Sequence, residues 1–356
     1  MVGVRLVSGR RRRVGQKQIP FLEQAVPRTR SSSPRSSSRR SWPRLPAWPI
    51  ASLACAISAL GALAAHAFDL QAHRGGRGLA PENTLAAFRN ALSLGVTTLE
   101  TDLAITKDDM VVLSHEPRLN PDLVRGPNGQ WIAAAGPTIH SLTLGELRRY
   151  DIGRLDPATR YGQQFPRQKP ADGERFPTLA ELFALGGESV RYNIETKIDP
   201  TTPGETVEPA RFARLVVDAV RAAKMERRTS IQSFDWRTLI ESRRIAPEID
   251  TVCLTVESST MNTVAGQPSP WLGGLEGASV PPLAKAAGCV AWSPFWRNVT
   301  PANVAETHAL GLKVIPWTVN DPAEMARQLD LKVDGLITDY PDRGLAVLGQ
   351  KGVPVR

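Results

Sequence analysis

Four short runs of this chain end in residues that move protons or hold charge. "AHRGG" carries His73 and Arg74, "TLETDL" carries Glu100 and Asp102, "VVLSHE" carries His115 and Glu116, and "NIETK" carries Glu195 and Lys197. Residues two apart on a strand point to one face, so Glu100 joins Asp102 and Glu195 joins Lys197 on whatever surface their strands present. Convergent carboxylates with no sulfur partner suit a hard divalent cation with oxygen ligands, Mg²⁺ or Ca²⁺, completed by water and substrate. Imidazole titrates near neutrality, so a pair of histidines can take and give a proton in one turnover. Each residue alone has a plainer reading. An Asp at a strand end can cap the next helix, Glu and Lys can simply pair, and His73 can be a catalyst, a metal ligand or a polar cap on its strand. Charged pairs facing a protein interior are costly unless something compensates them, and that weighs for function when all of them occur together.

The elements that must position these groups are legible as alternation. From Phe68 onward, short apolar runs alternate with amphipathic segments, the pattern of parallel strands joined by helices. Eight strands are expected, at "DLQAHRG", "TTLETDL", "RYNIETK", "TSIQSF", "DTVCLTV", "CVAWSP", "VIPWTV" and "GLITDYP". "VVLSHE" is a ninth, and the few residues before it are too short for a parallel crossover, so it pairs back as a hairpin. "PENTLAAFRNALSLG", "TLAELFALGG" and "PARFARLVVDAVRAAK" read as helices. The expected fold is therefore α/β, a (β/α)8 TIM-type barrel with a hairpin strand, a doubly wound open sheet being the alternative. The polar, Gly- and Pro-rich segment 116–176 reads as a long insertion over the active-site face. Glu82 and Asn83 are expected to cap the first helix or stand behind the site, with direct ligation by Glu82 the lesser reading. Gln232 and Trp317, at strand ends, are expected to line a substrate pocket. His140 falls in a loop and His308 on the polar side of a helix.

The formal charge of +9 sits almost wholly at the start of the chain. Twelve of the 44 Lys and Arg, but only one of the 35 Asp and Glu, precede Phe68, which leaves 32 basic against 34 acidic residues beyond it. A near-neutral remainder has no basic face for phosphate backbones, so nucleic acid is excluded as a partner. The leader runs from an Arg/Ser-rich region through "PIASLACAISALGALA" to "AHA", the order of an export signal with cleavage after Ala67. "SRRSW" loosely resembles a twin-arginine signal. The expected division is thus a leader over 1–67 and one domain over 68–356. The product would be periplasmic or secreted, meeting the membrane only through its signal. Cys253 and Cys289 remain after cleavage. They pair or stay as two buried thiols, since neighbouring parallel strands seldom present disulfide geometry.

Taken in order, "HRG", "PENT", "LETDLAITKDDMVVLSHE", "NIETK", "QSF", "WTVN" and "GLITDYP" resemble the glycerophosphodiester phosphodiesterases, from about Gln71 to Pro341. The run "EPRLNPDLVRG" is similar to the variant of that family with "LNPD" after the second histidine. The resemblance implies a barrel, a divalent metal on Glu100, Asp102 and Glu195, and acid/base roles for His73 and His115. Arg74 and Lys197 would help neutralise the phosphodiester. It also implies a small glycerophosphodiester substrate, cleaved to sn-glycerol 3-phosphate and an alcohol. The family usually has Asp where this chain has Glu116, one methylene longer. If that carboxylate only orients His115 or closes a turn, activity should survive. Two other readings stand beside this one. A related barrel could act on lysophospholipids or phosphoinositides, or an exported protein could merely capture phosphate esters; retention of both histidines argues against capture.

Overall fold

Period-two alternation along each apolar run gives strands with one face toward helices and the other toward a common interior. The computed structural model describes residues 67–266 and 268–355, so all of the expected leader except Ala67 lies outside the described residues. Among the described residues nine strands form: β1 (Asp69–Ala72), β2 (Thr98–Ile105), β3 (Val111–Leu113), β4 (Arg191–Thr196), β5 (Thr229–Ser233), β6 (Asp250–Thr255), β7 (Ala291–Pro294), β8 (Lys313–Val314) and β9 (Gly335–Thr338). Every expected strand is among them. The order is β8-β7-β6-β5-β4-β2-β1-β9, all parallel, with β3 antiparallel on β2 as the short connection required. Backbone bonds from Asp334 N to Val314 O (2.9 Å), Ile337 N to Pro316 O (3.0 Å) and Val319 N to Ile337 O (2.9 Å) join the segment around β8 to β9. The sheet is thus a nearly closed eight-stranded parallel barrel of the TIM type, not an open doubly wound sheet.

Helices cover the outside and begin where polar caps stand. Thr178 caps Leu179–Leu185 in a capping box with Glu181, Asp235 caps Trp236–Ile245, and Asp321 caps Pro322–Asp330, whose first residue is a proline. The first helix, Leu85–Ser93, corrects one expectation. Its cap is Thr84, whose Oγ1 accepts from Ala87 N at 3.1 Å, rather than Glu82 or Asn83. Asn83 takes a left-handed φ of 56° and sends its side chain to β2 instead. Leu70, Leu99, Tyr192, Ile194 and Ile231 meet Phe88, Leu182, Phe212 and Val216 in the main core between sheet and helices.

Segment 116–176 holds only short helical pieces, Ile139–Ser141, Leu144–Leu147 and Arg160–Gln163. It makes its own small core, Leu119, Val124, Ile139, Leu147, Ile152 and Phe176, against Ala104 and Val112 of the β2–β3 hairpin. Arg125 ties it internally, reaching Asp151 at 2.7 Å and Asp172 at 2.5 Å.

Cys253 and Cys289 form a disulfide, with 5.9 Å between their Cα atoms. The strand-geometry argument against pairing fails because Cys289 precedes β7. The register partner of Cys253 across that sheet is Trp292, so Cys289 is free to approach from the turn after helix Val280–Ala286. Closing a loop between residues 36 apart restricts the unfolded chain by about 3–4 kcal/mol. Urea unfolding is therefore expected to show the Cys253→Ser/Cys289→Ser double variant, or the reduced protein, less stable by about that much; unchanged midpoints would refute the crosslink's role.

Candidate active site

Inward-facing positions follow the two-residue period of each strand, and they divide the interior into two halves. On one side Val252, Ala291, Ile315 and Ile337 form a small apolar cluster with Trp317. On the other, polar side chains are joined layer by layer. Thr98 Oγ1 and Gln71 Nε2 donate to the two oxygens of Asp69 at 2.6 and 2.9 Å, and Asn193 Nδ2 donates to Gln71 Oε1 and Gln232 Oε1, each at 2.8 Å. That bond orients the Gln232 amide, whose Nε2 donates to Glu100 Oε1 at 2.7 Å. A paired polar stack is a tolerable support for charge, where an unpaired one would be destabilising.

On this support Glu100 and Asp102 of β2 meet Glu195 of β4, one carboxylate oxygen of each lying within 4.8 Å of the others. Asp102 and Glu195 are direct register partners, which makes their meeting a consequence of parallel pairing. All three are buried. Arg74 N donates to Glu100 Oε2 at 2.9 Å, Lys197 Nζ to Glu195 Oε1 at 2.8 Å, and Asn83 Nδ2 to Asp102 Oδ2 at 3.0 Å. Arg74 Nε also lies 3.0 Å from Asp102 Oδ2, as a charge contact without hydrogen-bond alignment. Asp102 Oδ1 accepts nothing, with Lys197 Nζ 3.9 Å away. A buried carboxylate oxygen left unsatisfied beside two other carboxylates fits a hard divalent cation, as does the all-oxygen donor set.

The charges are strained accordingly. Burial, then Asp102 and Glu195, holds the Glu100 carboxyl well above the ordinary range. Burial, and the charge of Asp102 acting against Lys197, pushes Glu195 up to about 7. Against burial, Arg74 above all keeps Asp102 far below its ordinary value. Fully ionised, the five buried carboxylates Glu82, Glu100, Asp102, Glu195 and Asp339 would outnumber the three permanent cations Arg74, Arg77 and Lys197 by two charges, which one divalent ion would cancel.

His73 leaves β1 in a single tight turn, His73–Gly75. Gly75 has φ 82°, and a Cβ there would stand 2.7 Å from that of Ala87, so the first helix packs directly on the turn. His73 Nδ1 is 2.5 Å from Asp339 Oδ1, and its Nε2 is 4.0 Å from Glu100 Oε2. His115 Nδ1 is 2.8 Å from Glu116 Oε1. Both imidazoles thus have a carboxylate behind Nδ1, which leaves Nε2 for the cavity. Burial, with Arg77 and Arg74, lowers the pKa of His73 despite Asp339. Burial, Arg74 and Lys197 take His115 down to about 4. The hydrogen bond with His115 draws Glu116 down to about 2.

The structure brings all ten expected site residues together. Glu82 stands behind the carboxylate cluster, accepting from Arg74 Nη1 at 2.7 Å and from the Tyr161 hydroxyl. Trp317 and Gln232 line the cavity, along with His73, Arg74, Glu100 and His115. His308 lies apart, paired with Asp334 at 2.9 Å. Four contributors were not expected. Asp339 braces His73, and Asn320 Nδ2 and Arg77 Nε hold Asp339 at 2.7 Å each. Arg77 also donates to Tyr161 Oη at 2.9 Å and lies over the Phe165 ring, which places residues of the insertion beside the site. Asp339 was readable in principle: it follows the last strand as His73 follows the first. Nothing in the sequence of the insertion marks Tyr161.

Several known proteins resemble this chain. The model of the "glycerophosphoryl diester phosphodiesterase family" matches residues 73–343. A glycerophosphodiester phosphodiesterase of Caldanaerobacter subterraneus is 30% identical over 272 residues, covering 76% of this chain and 93% of that protein. The crystal structure of a putative glycerophosphoryl diester phosphodiesterase from Silicibacter pomeroyi superposes with a TM-score of 0.73 at 35% identity, over 82% of this chain and 96% of that one. An Oleispira antarctica phosphodiesterase in complex with the product sn-glycerol-3-phosphate shares the fold, with a TM-score of 0.58 at 21% identity over 80% of this chain and 97% of that one.

Proposed function

The chain belongs to the glycerophosphoryl diester phosphodiesterase family, and from that footing we propose that it hydrolyses glycerophosphodiesters to sn-glycerol 3-phosphate and an alcohol with a divalent cation and two histidines. The observation that carries this reading is the buried trio Glu100, Asp102 and Glu195, with Asp102 Oδ1 unsatisfied, beside two carboxylate-braced imidazoles.

A phosphodiester is an anion with a poor alkoxide leaving group, so its hydrolysis needs charge neutralisation, an activated nucleophile and a proton for the departing oxygen. Ca²⁺ or Mg²⁺ held by Glu100, Asp102 and Glu195 would supply Lewis-acid neutralisation of the phosphoryl oxygens. Arg74 and Lys197 line the same cavity, but each is already paired, so they set the carboxylates in place as much as they face substrate. Of His73 and His115, one accepts the proton of the attacking hydroxyl and the other, protonated, donates to the leaving oxygen. Attack by water gives sn-glycerol 3-phosphate directly, whereas attack by the glycerol 2-hydroxyl expels the alcohol and leaves a cyclic phosphate that water then opens, with the two histidines exchanging roles. Glu116 bonds to His115 in the way that the orienting role requires, so the extra methylene relative to Asp leaves that role intact.

The sn-glycerol-3-phosphate held by the Oleispira antarctica protein supports the product assignment. Incubating the protein with glycerophosphocholine and Mg²⁺ or Ca²⁺, with products identified by ³¹P NMR, should give glycerol 3-phosphate and choline. Release of phosphocholine and glycerol instead, or no turnover of any glycerophosphodiester, would overturn the reading. The same proposal places the enzyme outside the cytoplasm, with its leader removed near Ala67. The disulfide suits an oxidising compartment. N-terminal sequencing of exported protein should begin at Phe68, and retention of an intact leader in the cytoplasm would contradict the export claim.

A further inference from the structure

The catalytic cavity opens past His115, Glu195, Lys197, Phe234 and Trp317 into a larger groove of about 390 Å³ that the phosphoryl chemistry leaves unused. Its walls are aromatic and soft: Phe234 after β5, Trp317 after β8, and Trp271 and Met261 from the long β6–β7 connection. Phe234 and Trp317 meet edge to face at 5.2 Å, and Phe295 lies 5.7 Å from Trp317. Trp271 is fixed through its backbone, its carbonyl accepting from Trp236 N at 2.8 Å.

The charged lining of this groove is mostly acidic. Glu116, Asp199, Glu205 and Glu195 face it against Lys197, and Arg118 pairs with Glu205 at 2.7 Å from the rim. These carboxylates are oriented rather than loose: Glu116 bonds to His115, and Asp199 accepts from Thr201 N and Oγ1. Lys197 Nζ lies 5.7 Å from the Phe234 ring centroid, so a cation already rests on this wall.

Three kinds of leaving alcohol can be weighed against such a lining. A fatty chain would set hydrocarbon against ionised carboxylates. A polyol could donate to the carboxylates, but the ring faces of Phe234, Trp271 and Trp317 would offer its other hydroxyls no partner. A quaternary ammonium needs no hydrogen bond, is attracted to aromatic faces and is neutralised by nearby carboxylates. We propose that the groove is the leaving-alcohol subsite and that it selects glycerophosphodiesters whose alcohol carries a quaternary ammonium of choline's size. The inference rests on the phosphodiesterase reading above and adds its head group.

The decisive comparison is glycerophosphocholine against its uncharged carbon isostere, the 3,3-dimethylbutyl ester, with glycerophosphoglycerol as a polyol reference. The choline ester is expected to have a kcat/KM about tenfold above the isostere, the scale of one or two cation–π contacts. Trp271→Ala should bring that ratio toward one. Asp199→Asn, which keeps the acceptor for Thr201 while removing the charge, should lower it too. Equal kcat/KM for choline ester and isostere would overturn the proposal, as would a ratio unmoved by both substitutions. Faster cleavage of a lysophosphatidylcholine than of glycerophosphocholine, lost in Trp271→Ala and with no preference for charge, would assign the groove to an acyl chain on the glycerol side instead. Failure to cleave all of these esters would overturn the phosphodiesterase reading itself, a result distinct from even turnover across head groups.

Discussion

Replacing His73 or His115 by alanine is expected to lower kcat on a glycerophosphodiester by about 10²- to 10⁴-fold in each case, with the fold retained. The loss follows from removing a positioned proton-transfer group, and the surroundings explain why folding should survive it. In His73→Ala, Asp339 keeps its bonds from Arg77 and Asn320. In His115→Ala, the imidazole's hydrogen-bonded partner is the half-exposed Glu116, which water can then solvate. Steady-state kinetics with circular dichroism as the fold control measures both. Wild-type turnover in either variant would show that its imidazole transfers no proton. Asp339→Asn is a subtler version of the same test, because it keeps the side chain's size while weakening the carboxylate that orients Nδ1. It should lower kcat more than it raises KM.

The second large effect belongs to the carboxylate trio. Glu195→Gln keeps volume and an acceptor for Lys197, yet removes one charge from the proposed ion site. Cation affinity measured by calorimetry is expected to fall by about 100-fold or more, the equivalent of roughly 3 kcal/mol for one lost charged ligand in a partly desolvated site. The pH dependence has a definite sign. In cation-free protein Glu195 titrates at about 7 and Glu100 is held well above its ordinary value. Protons therefore occupy the trio as pH falls through about 7 and compete with the ion, so apparent affinity weakens on acidification and binding releases protons near neutrality. Titrations in two buffers of different ionisation enthalpy detect that release. Binding heats independent of buffer would contradict it.

Much of this site could be read along the chain because strand periodicity places residues two apart on one face. Glu100 with Asp102 and Glu195 with Lys197 were visible as pairs for that reason, and parallel register then set Asp102 beside Glu195. The nine strands were legible because helices and strands alternate with clear punctuation, and the hairpin because its connection is too short to cross over. What escaped lies in long-range pairing. Asp339 and His73 are 266 residues apart, and only the parallel pairing of the first strand with the last makes their strand ends neighbours. Tyr161 reaches Glu82 from an insertion with no periodic pattern to orient it. Asn83 reads as a helix cap, yet its left-handed backbone hands that task to Thr84 and leaves its amide for Asp102. The cysteines misled in a similar way. Their apolar runs look like two strands, but the turn before β7 carries Cys289 out of register.

The central claim is that the ion site and the two histidines act together on one phosphodiester. It is tested most directly by stripping the full protein of divalent ions with chelator, then titrating Ca²⁺ or Mg²⁺ back while following glycerol 3-phosphate release from glycerophosphocholine. Negligible turnover is expected in the stripped protein, with recovery that saturates with the bound ion. In Glu195→Gln, recovery should require about 100-fold more ion, in line with its affinity. Undiminished turnover in the stripped protein would contradict it.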